Sequence, residues 1–434
     1  MKKSLTKLRN AVARPYHLVQ AWRAADKYDY PAAGMTVIGV TGTNGKTTTC
    51  WMIYQMLKSA GKKVGLMSTI GDALWNSDAV TAQTAHMTTE SSAVLNKHLA
   101  EFRDAGVEFL VLEVSSHALS QHRIFGAPVD IAVFTNLSHE HLDYHKTFAK
   151  YRAAKEKLFK MAAARAKHGG RGVGVINADD AVAGWFYRDV PTPLTYGVAN
   201  AAADLRARQV KLTPRGVEYY VKTGGQTFHV KTKIAGEFNV YNSLAAVGVG
   251  LALKLNKQQI EQGIFALDGV AGRMNRIDEG QNFDVIIDFA HTPDAFAKLL
   301  PDLKKATKGR VISLFGIAGE RDQSKAGDMG RVAAENSDIV ILTEDDPRGA
   351  VRPQSEKLAR GAEAAGKIRE KNLFLIDDRT AAIEFACQTA KAGDTVVLMG
   401  KGHERTIARA NGDEPWDEAG AARKILKKIV AKKS

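Results

Sequence analysis

From residue 36 onward the chain alternates short apolar runs with longer stretches in which apolar positions recur every three or four residues. The runs TVIGV, KVGLMS, EFLVLEVSS, DIAVFTNLS and GVGVINADD predict buried strands, and the stretches between them predict helices. Alternation of this kind builds a largely parallel sheet with helices on both faces. The segment from Arg206 to Lys233 follows another rule. Apolar and polar residues alternate there around two glycine turns, which predicts antiparallel hairpins. GEFNVYNSLAAVGVGLALKL then predicts a helix. A second strand–helix alternation starts near Gly272, with FDVIIDFAH, RVISLFGIAG, DIVILTEDDPR, NLFLIDDR and TVVLMGKGH as its strands and Thr292–Lys308 and Gln354–Lys367 among its helices. The expectation is an α/β chain in three parts: a short basic helical segment over 1–34, a central domain over 35–270, and a smaller Rossmann-like α/β domain over 271–434.

At 434 residues, 45% apolar and 25% charged, the chain has the composition of an ordinary globular protein with ample core. No apolar run is long enough to span a bilayer, and no secretory cleavage pattern opens the chain. Two cysteines, Cys50 and Cys387, supply neither a disulfide framework nor a cysteine metal site. A cytoplasmic location is expected. The net charge of +14 concentrates at the two ends: Lys2, Lys3, Lys7, Arg9 and Arg14, then Arg423, Lys424, Lys427, Lys428, Lys432 and Lys433. Both clusters read as solvated helix faces. The first also carries Tyr16, Leu18, Val19 and Trp22, a mixture suited to a weak membrane-surface contact. Nucleic-acid binding rests on net charge alone, with no recognisable module, and is not expected.

VIGVTGTNGKTTT, from Val37 to Thr49, carries the first chemistry. An apolar strand runs into a turn that Gly42, Asn44 and Gly45 make possible, and a helix starts at Lys46. Backbone N–H groups at such a turn cradle phosphate, with Lys46 reaching the outer phosphates and the Thr47 hydroxyl on Mg²⁺. The strict G-x-x-x-x-G-K-[ST] pattern is not met, since Val40 holds the place of its first glycine. A shorter G-x-x-G-K-T stands from Gly42 to Thr47. The central domain is therefore expected to be a P-loop ATPase-type domain with a mostly parallel sheet plus a β-hairpin subsheet. Glu113 closes the strand in LEVSSHALSQHR; His139, Glu140, His141, Asp143 and His145 follow the strand IAVF; Lys155 lies on the helix YRAAKEKLF. Glu113 and His141 each follow a strand of the same sheet as the turn, so both are positioned to face a nucleotide. Glu113 and Thr47 are hard oxygen donors of the kind Mg²⁺ prefers.

TGTNGKTTT, EVSSHAL, TNLSHEHLDYH, AAKEKLF, GEFNVYN, GRM, DFAHTPDA, GERD, DDPR and GKGHE occur in that order. Together they resemble the Mur ligase family, most closely the branch that extends UDP-N-acetylmuramoyl-dipeptide to the tripeptide, over residues 36 to about 405. The resemblance implies an ADP-forming acid–amino-acid ligase of peptidoglycan precursor synthesis. It implies ATP held by Gly42, Thr43, Asn44, Gly45, Lys46, Thr47, Thr48, Asn239, Asn242, Arg273 and Asp288. It implies two Mg²⁺ ions with Thr47, Glu113, His141 and a CO₂-derived carbamate on Lys155 as ligands, and Lys46, Lys155, His141 and Glu113 as the catalytic set. Thr88, Thr89, Ser115, Gln121 and Arg123 would contact the muramoyl-peptide acceptor. Arg321, Asp345, Asp346, Pro347, Arg348, Gly400 and Glu404 would line the pocket for the incoming amino acid. By the same resemblance the carboxylate is activated as an acyl phosphate, the second domain closes over ATP, and the enzyme is a monomer.

Three positions depart from the family pattern. Glu90 replaces the proline of a Thr-Thr-Pro turn, and Glu140 stands where aspartate is usual. Asp346 replaces the asparagine of the Asp-Asn-Pro-Arg motif of diaminopimelate-adding enzymes. A carboxylate at 346 attracts a cationic amine and so suits L-lysine, whereas Arg348 suits the distal carboxylate of diaminopimelate; both remain open at this point. The glycine turn also comes near residue 37, where members of this branch first carry a uridine-nucleotide-binding domain. The expectation is that this domain is missing. The acceptor would then be UDP-linked and held by Thr88 to Arg123 alone, or lipid-linked, or a different carboxylate. A folylpolyglutamate-type ligase shares the core, but DDPR and GKGHE argue against it. A zinc-ribbon amidation subunit needs four cysteines, and a non-catalytic ATP-binding module would not need the set Lys46, Glu113, His141 and Lys155.

Overall fold

The computed structural model describes residues 16–81, 87–138, 140–213, 215–319 and 325–432. The chain divides into two compact units. Met1–Lys211, Val217–Lys233 and Phe238–Asp268 form the first; Leu212–Gly216, Ile234–Glu237 and Gly269–Ser434 form the second.

The first unit is built on an eleven-stranded sheet. Its strands are β1 (Thr36–Thr41), β2 (Val64–Ser68), β3 (Gly71–Leu74), β4 (Val80–Thr81), β5 (Phe109–Glu113), β6 (Val129–Phe134), β7 (Val173–Asn177), β8 (Thr192–Gly197), β9 (Leu205–Thr213), β10 (Gly216–Thr223) and β11 (Gln226–Thr232). Their order is β11-β10-β9-β8-β7-β6-β1-β5-β2-β3-β4. Strands β2, β5, β1, β6, β7, β8 and β9 pair in parallel; β2, β5, β1, β6 and β7 are the apolar runs of strands buried on both faces. The expected hairpin strands form one edge of this sheet. β9 joins β8 through Tyr196 and Gly197 and so extends the same sheet, and β10 pairs with β11 antiparallel. A second hairpin, β2–β3, turns at the opposite edge.

β1 lies near the middle of this sheet, between β5 and β6, and is buried almost throughout. The helix Phe148–Ala166, capped by the Thr147 hydroxyl accepting from the Lys150 N–H, packs across it. A Cβ at Gly39 would sit 2.9 Å from Leu158 Cδ1, so the glycine lets this helix lie close to the strand. That proximity carries Lys155, on the same helix, toward the end of β1.

The second unit has a six-stranded sheet of β12 (Asn275–Ile277), β13 (Asp284–Asp288), β14 (Val311–Phe315), β15 (Ile339–Leu342), β16 (Leu373–Leu375) and β17 (Thr395–Met399), in the order β12-β13-β17-β14-β15-β16. All pairs are parallel except β12–β13. A small ribbon, β18 (Thr406–Arg409) with β19 (Gly412–Pro415), follows. Ile287, Ile312, Leu314, Ile341, Val396 and Leu398 fill the core from the sheet, and Ile383 and Leu426 meet them from helices Arg379–Thr389 and Glu418–Ala431. On the latter helix Arg423, Lys424, Lys427 and Lys428 are exposed, as the sequence predicts of a solvated basic face.

Candidate active site

The turn after β1 is shaped by what stands beneath it. A Cβ at Gly42 would lie 1.9 Å from Thr135 Oγ1, and one at Gly45 would lie 2.3 Å from Asn242 Oδ1, with Gly45 at φ 82°. No other residue fits at either place. Asn136 braces the loop from the neighbouring strand end. Its Oδ1 accepts from the Asn44 N–H at 2.9 Å, and its Nδ2 donates to the Asn44 carbonyl at 3.0 Å. Asn239 and Asn242 are buried and bonded to each other at 2.8 Å, so the structure sets this pair under the turn as its support. Lys46 curls back over the loop, its Nζ donating to the carbonyls of Thr43 at 2.7 Å and Gly42 at 3.1 Å. Thr47 stands in the first turn of the helix Lys46–Ser59, and its hydroxyl donates to Glu113 Oε1 at 2.9 Å. Glu113 Oε2 accepts from the Thr69 N–H at 2.8 Å. Thr43 Oγ1 lies 3.1 Å from the Tyr151 hydroxyl, which ties the loop to the lysine-bearing helix. Thr48 is buried behind it.

Lys155 is 1% exposed, and its Nζ donates to the Gly42 carbonyl at 2.6 Å. Burial, and then the neighbouring Lys46 charge, push its amine well below the usual lysine range. His141 sits at φ 55° with its ring edge-on to Tyr151 and to His117, at centroid distances of 5.9 and 5.0 Å. The structure thus brings Lys46, Thr47, Glu113, His141 and Lys155 around one glycine loop. The donors are a hydroxyl and a carboxylate beside a backbone cradle, a set that fits Mg²⁺ carried by nucleotide phosphates.

A polar cluster lies past the end of β5. The Thr89 hydroxyl donates to the Glu113 carbonyl at 2.9 Å and accepts from the Ser115 N–H at 3.0 Å. Arg123 donates to the Thr89 carbonyl at 2.6 Å, and its Nε donates to Gln121 Oε1 at 2.9 Å. Thr88 is half-buried beside them. The five residues read as acceptor contacts therefore share one surface, next to the glycine loop through Glu113.

In the second unit the DDPR and GKGHE segments meet around Lys401, a residue that motif reading passed over. Its Nζ stands 2.7 Å from Asp346 Oδ1, 2.7 Å from Glu404 Oε2 and 3.8 Å from Asp345 Oδ1, with the side chain 1% exposed. The three carboxylates gather closely enough to suggest a metal site, yet the ammonium already occupies their centre. Burial works against the Lys401 charge, and the carboxylates overcome it, holding its pKa above the ordinary value. Burial likewise opposes the Asp346 charge, and bonds from Lys401 and the Ala408 N–H keep that carboxyl below its ordinary value. The signal available in the sequence was a lysine two residues past the end of a buried strand, in a motif otherwise noted for its glycines and glutamate.

Arg348 is held at φ 51° by its N–H donating to the Ala408 carbonyl, and its guanidinium stays 4.0 Å from Asp346 Oδ2. The Pro347 carbonyl accepts from Gln354. The Gly400 N–H donates to the Asp288 carbonyl, joining this pocket to Asp288, whose carboxylate accepts from Met274 and Ala290 N–H groups. Arg273 lies over the Phe289 ring at 4.6 Å. Arg321 and His139 lie outside the described residues.

Comparison with known proteins gives the same two-part division. The family described as Mur ligase middle domain matches residues 40–250, and the Mur ligase glutamate ligase domain matches residues 272–402. The chain is 40% identical over 420 residues to a UDP-N-acetylmuramyl-tripeptide synthetase of Roseiflexus sp., covering 94% of this chain and 81% of that protein. It is 37% identical over 401 residues to the UDP-N-acetylmuramoyl-L-alanyl-D-glutamate–2,6-diaminopimelate ligase of Geobacillus thermodenitrificans, covering 92% and 80%. A solved structure of a ligase with that activity aligns with TM-score 0.67 at 30% identity, over 92% of this chain and 79% of its own. A Mycobacterium tuberculosis folylpolyglutamate synthase structure aligns with TM-score 0.73 at 18% identity, over 94% and 95%, a likeness of fold alone.

Proposed function

The chain belongs to the Mur ligase family, and from that premise we propose that it joins diaminopimelate to the terminal carboxylate of UDP-N-acetylmuramoyl-L-alanyl-D-glutamate. It is an ATP-dependent acid–amino-acid ligase of peptidoglycan precursor synthesis, and ATP and Mg²⁺ are its cofactors. The observation that carries the choice of amino acid is the pairing of Asp346. L-Lysine would need a carboxylate at 346 open to its side-chain amine, and Lys401 with the Ala408 N–H already occupies Oδ1. The Arg348 guanidinium, with no close bond to Asp346, is left to take the distal carboxylate of diaminopimelate as a two-point grip.

Each residue then has a task that its position supports. The N–H groups from Gly42 to Thr48 hold the ATP phosphates. Lys46 exchanges its carbonyl partners for the outer phosphates and balances charge as the terminal phosphoryl group moves. Mg²⁺, when bound, screens the phosphates and polarises the terminal one. Thr47, Glu113 and His141 would hold it. Glu113 also fixes the Thr47 hydroxyl, so one carboxylate orients two ligands. Lys155 would serve as a carbamate: its neutral Nζ adds CO₂, forming an N–C bond and releasing one proton. The carbamate nitrogen keeps an N–H for the Gly42 carbonyl and presents a carboxylate to a second Mg²⁺. An ammonium at that place would instead repel both the metals and Lys46.

Thr88, Thr89, Ser115, Gln121 and Arg123 would align the acceptor carboxylate for attack on the terminal phosphorus. ADP leaves and an acyl phosphate forms; the amine of the amino acid attacks it, and phosphate departs as the amide closes. Arg273 and Asp288 would contact the nucleotide from the second unit's sequence, Arg321, Asp345, Pro347, Gly400 and Glu404 would complete the amino-acid pocket, and the enzyme would work as a monomer.

The test is phosphate release from ATP and Mg²⁺ with UDP-N-acetylmuramoyl-L-Ala-D-Glu and either diaminopimelate or L-lysine, with Lys155→Ala alongside. The expected result is release that requires the acceptor and diaminopimelate and that falls by more than about 10²-fold in the variant. Carbon-13 bicarbonate should give a carbamate signal that Lys155→Ala lacks. Release with L-lysine alone would overturn the amino-acid assignment. Silence in every tube, from protein that binds ATP, would overturn the acceptor and direct the search to lipid-linked or other carboxylates.

A further inference from the structure

Thirteen large apolar side chains are exposed among the described residues, and four of them lie on one helix, residues 16–27. Leu18, Val19 and Trp22 are 40%, 46% and 47% exposed and form a single stripe, with Tyr16 at its edge. Beside the stripe Ala21, Ala24 and Ala25 are buried, and Ala25 fits against Gly126 of the first unit. The helix is therefore seated on its small residues and shows its large ones to the outside, the reverse of an ordinary surface helix.

Charge surrounds the stripe. Residues 1–27 hold seven Lys and Arg against one acid, Asp26, and Arg23 and Lys27 stand exposed on the helix itself. The sequence ahead of it carries Lys2, Lys3, Lys7, Arg9 and Arg14. Next to the helix's end a groove of about 670 Å³ opens. Tyr30, Ile124, Phe125 and Met161 make it apolar, and Lys157 and Lys160 are the basic residues of its lining.

We propose that this face of the first unit docks on an anionic lipid bilayer surface. Trp22, Leu18 and Val19 enter the headgroup–acyl boundary, the basic residues pair with lipid phosphates, and the groove receives an acyl chain beside them. The contact is peripheral: no helix among the described residues is long and apolar enough to cross a membrane. A nucleic acid would use the positive charge and gain nothing from the apolar stripe. An anionic bilayer matches both features at once. The proposal holds whatever amino acid the ligase adds.

The experiment is vesicle flotation of the full chain with phosphatidylcholine vesicles, with and without phosphatidylglycerol, at low salt and at about 1 M salt, where charges are screened within about 3 Å. Binding should be at least about tenfold tighter to the anionic vesicles and weaken in high salt. The double variant Leu18→Glu/Trp22→Glu should lose it while keeping wild-type phosphate release in vesicle-free buffer and a wild-type thermal midpoint, which shows that the variant is folded. Equal binding of wild type and variant, or no flotation with either vesicle, would overturn the proposal. So would concentration-dependent dimerisation that the variant abolishes, since a second copy would then cover the stripe, or retention on an oligonucleotide with none on vesicles.

Discussion

Asp72, Glu90 and His98 come from a strand, a loop and a helix, and they meet in the interior of the first unit. His98 Nδ1 stands 2.7 Å from Asp72 Oδ2 and 3.5 Å from Glu90 Oε2. Both carboxylates are nearly buried, and Asp72 Oδ1 and both Glu90 oxygens have no hydrogen-bond partner. Burial pushes the Asp72 carboxyl up from 3.8 to about 6, against the pull of His98 and with help from Glu90 and Glu101, and burial raises Glu90 in the same direction. A carboxyl raised in the folded state binds its proton more tightly there than in the unfolded chain. Its contribution to stability is full below the unfolded value and is lost as pH rises through about 6. Thermal or urea unfolding measured from pH 4 to pH 7 should show that loss, up to about 3 kcal/mol for Asp72. Asp72→Asn should flatten it; an unchanged pH profile in that variant would show that the proton is held elsewhere. None of this was legible beforehand, although Glu90 stood out as a replacement for proline. Residues 72, 90 and 98 fall in three elements, and only the packing of those elements makes them neighbours. Lys401 was missed for the same reason: two of the three carboxylates that neutralise it, Asp345 and Asp346, lie in a distant segment.

Single elements were more legible, because strand and helix periods are local properties. The strand runs, the helix carrying Lys155 and the glycine turn all lie where the apolar pattern set them. What the pattern lacked was the relation between elements. It gave the hairpin subsheet but not how that subsheet attaches, since a two-residue pairing of β8 with β9 leaves no mark in either strand's composition. It also gave no sign that helix Phe238–Ala252 supports the glycine turn through Asn242. That support is testable. Gly45→Ala places a methyl at φ 82° against Asn242 Oδ1 and should weaken ATP binding by more than about tenfold, a cost of about 1–3 kcal/mol for a strained backbone position. Adding Asn242→Ala removes the clash but leaves the strained φ, so affinity measured by nucleotide titration should return only in part. Full recovery would assign the whole effect to the collision, and no recovery would assign it to the backbone.

At the scale of the whole molecule, the sequence already contains two separate alternations of strand and helix, and each folds around its own core. Two cores of this kind predict two unfolding transitions, and their ligands and charges should act on them separately. With ATP and Mg²⁺ at the glycine turn, as proposed, ATP at a hundred times its Kd should stabilise the first unit by about 2.7 kcal/mol and raise that transition alone. Lys401→Met acts on the other unit. It leaves Asp345, Asp346 and Glu404 facing one another in a buried site without their cation, an arrangement that costs about 3–5 kcal/mol when one partner of a buried ion pair is removed. The carboxylates can relieve part of this by taking up protons, so the loss should shrink as pH falls toward 5. Calorimetry of wild type and Lys401→Met, each with and without ATP, checks all of it in four scans. The variant should lower one transition while ATP raises the other by the same amount in both proteins. A single transition that both perturbations move together would mean that the chain unfolds as one cooperative body in spite of its two cores.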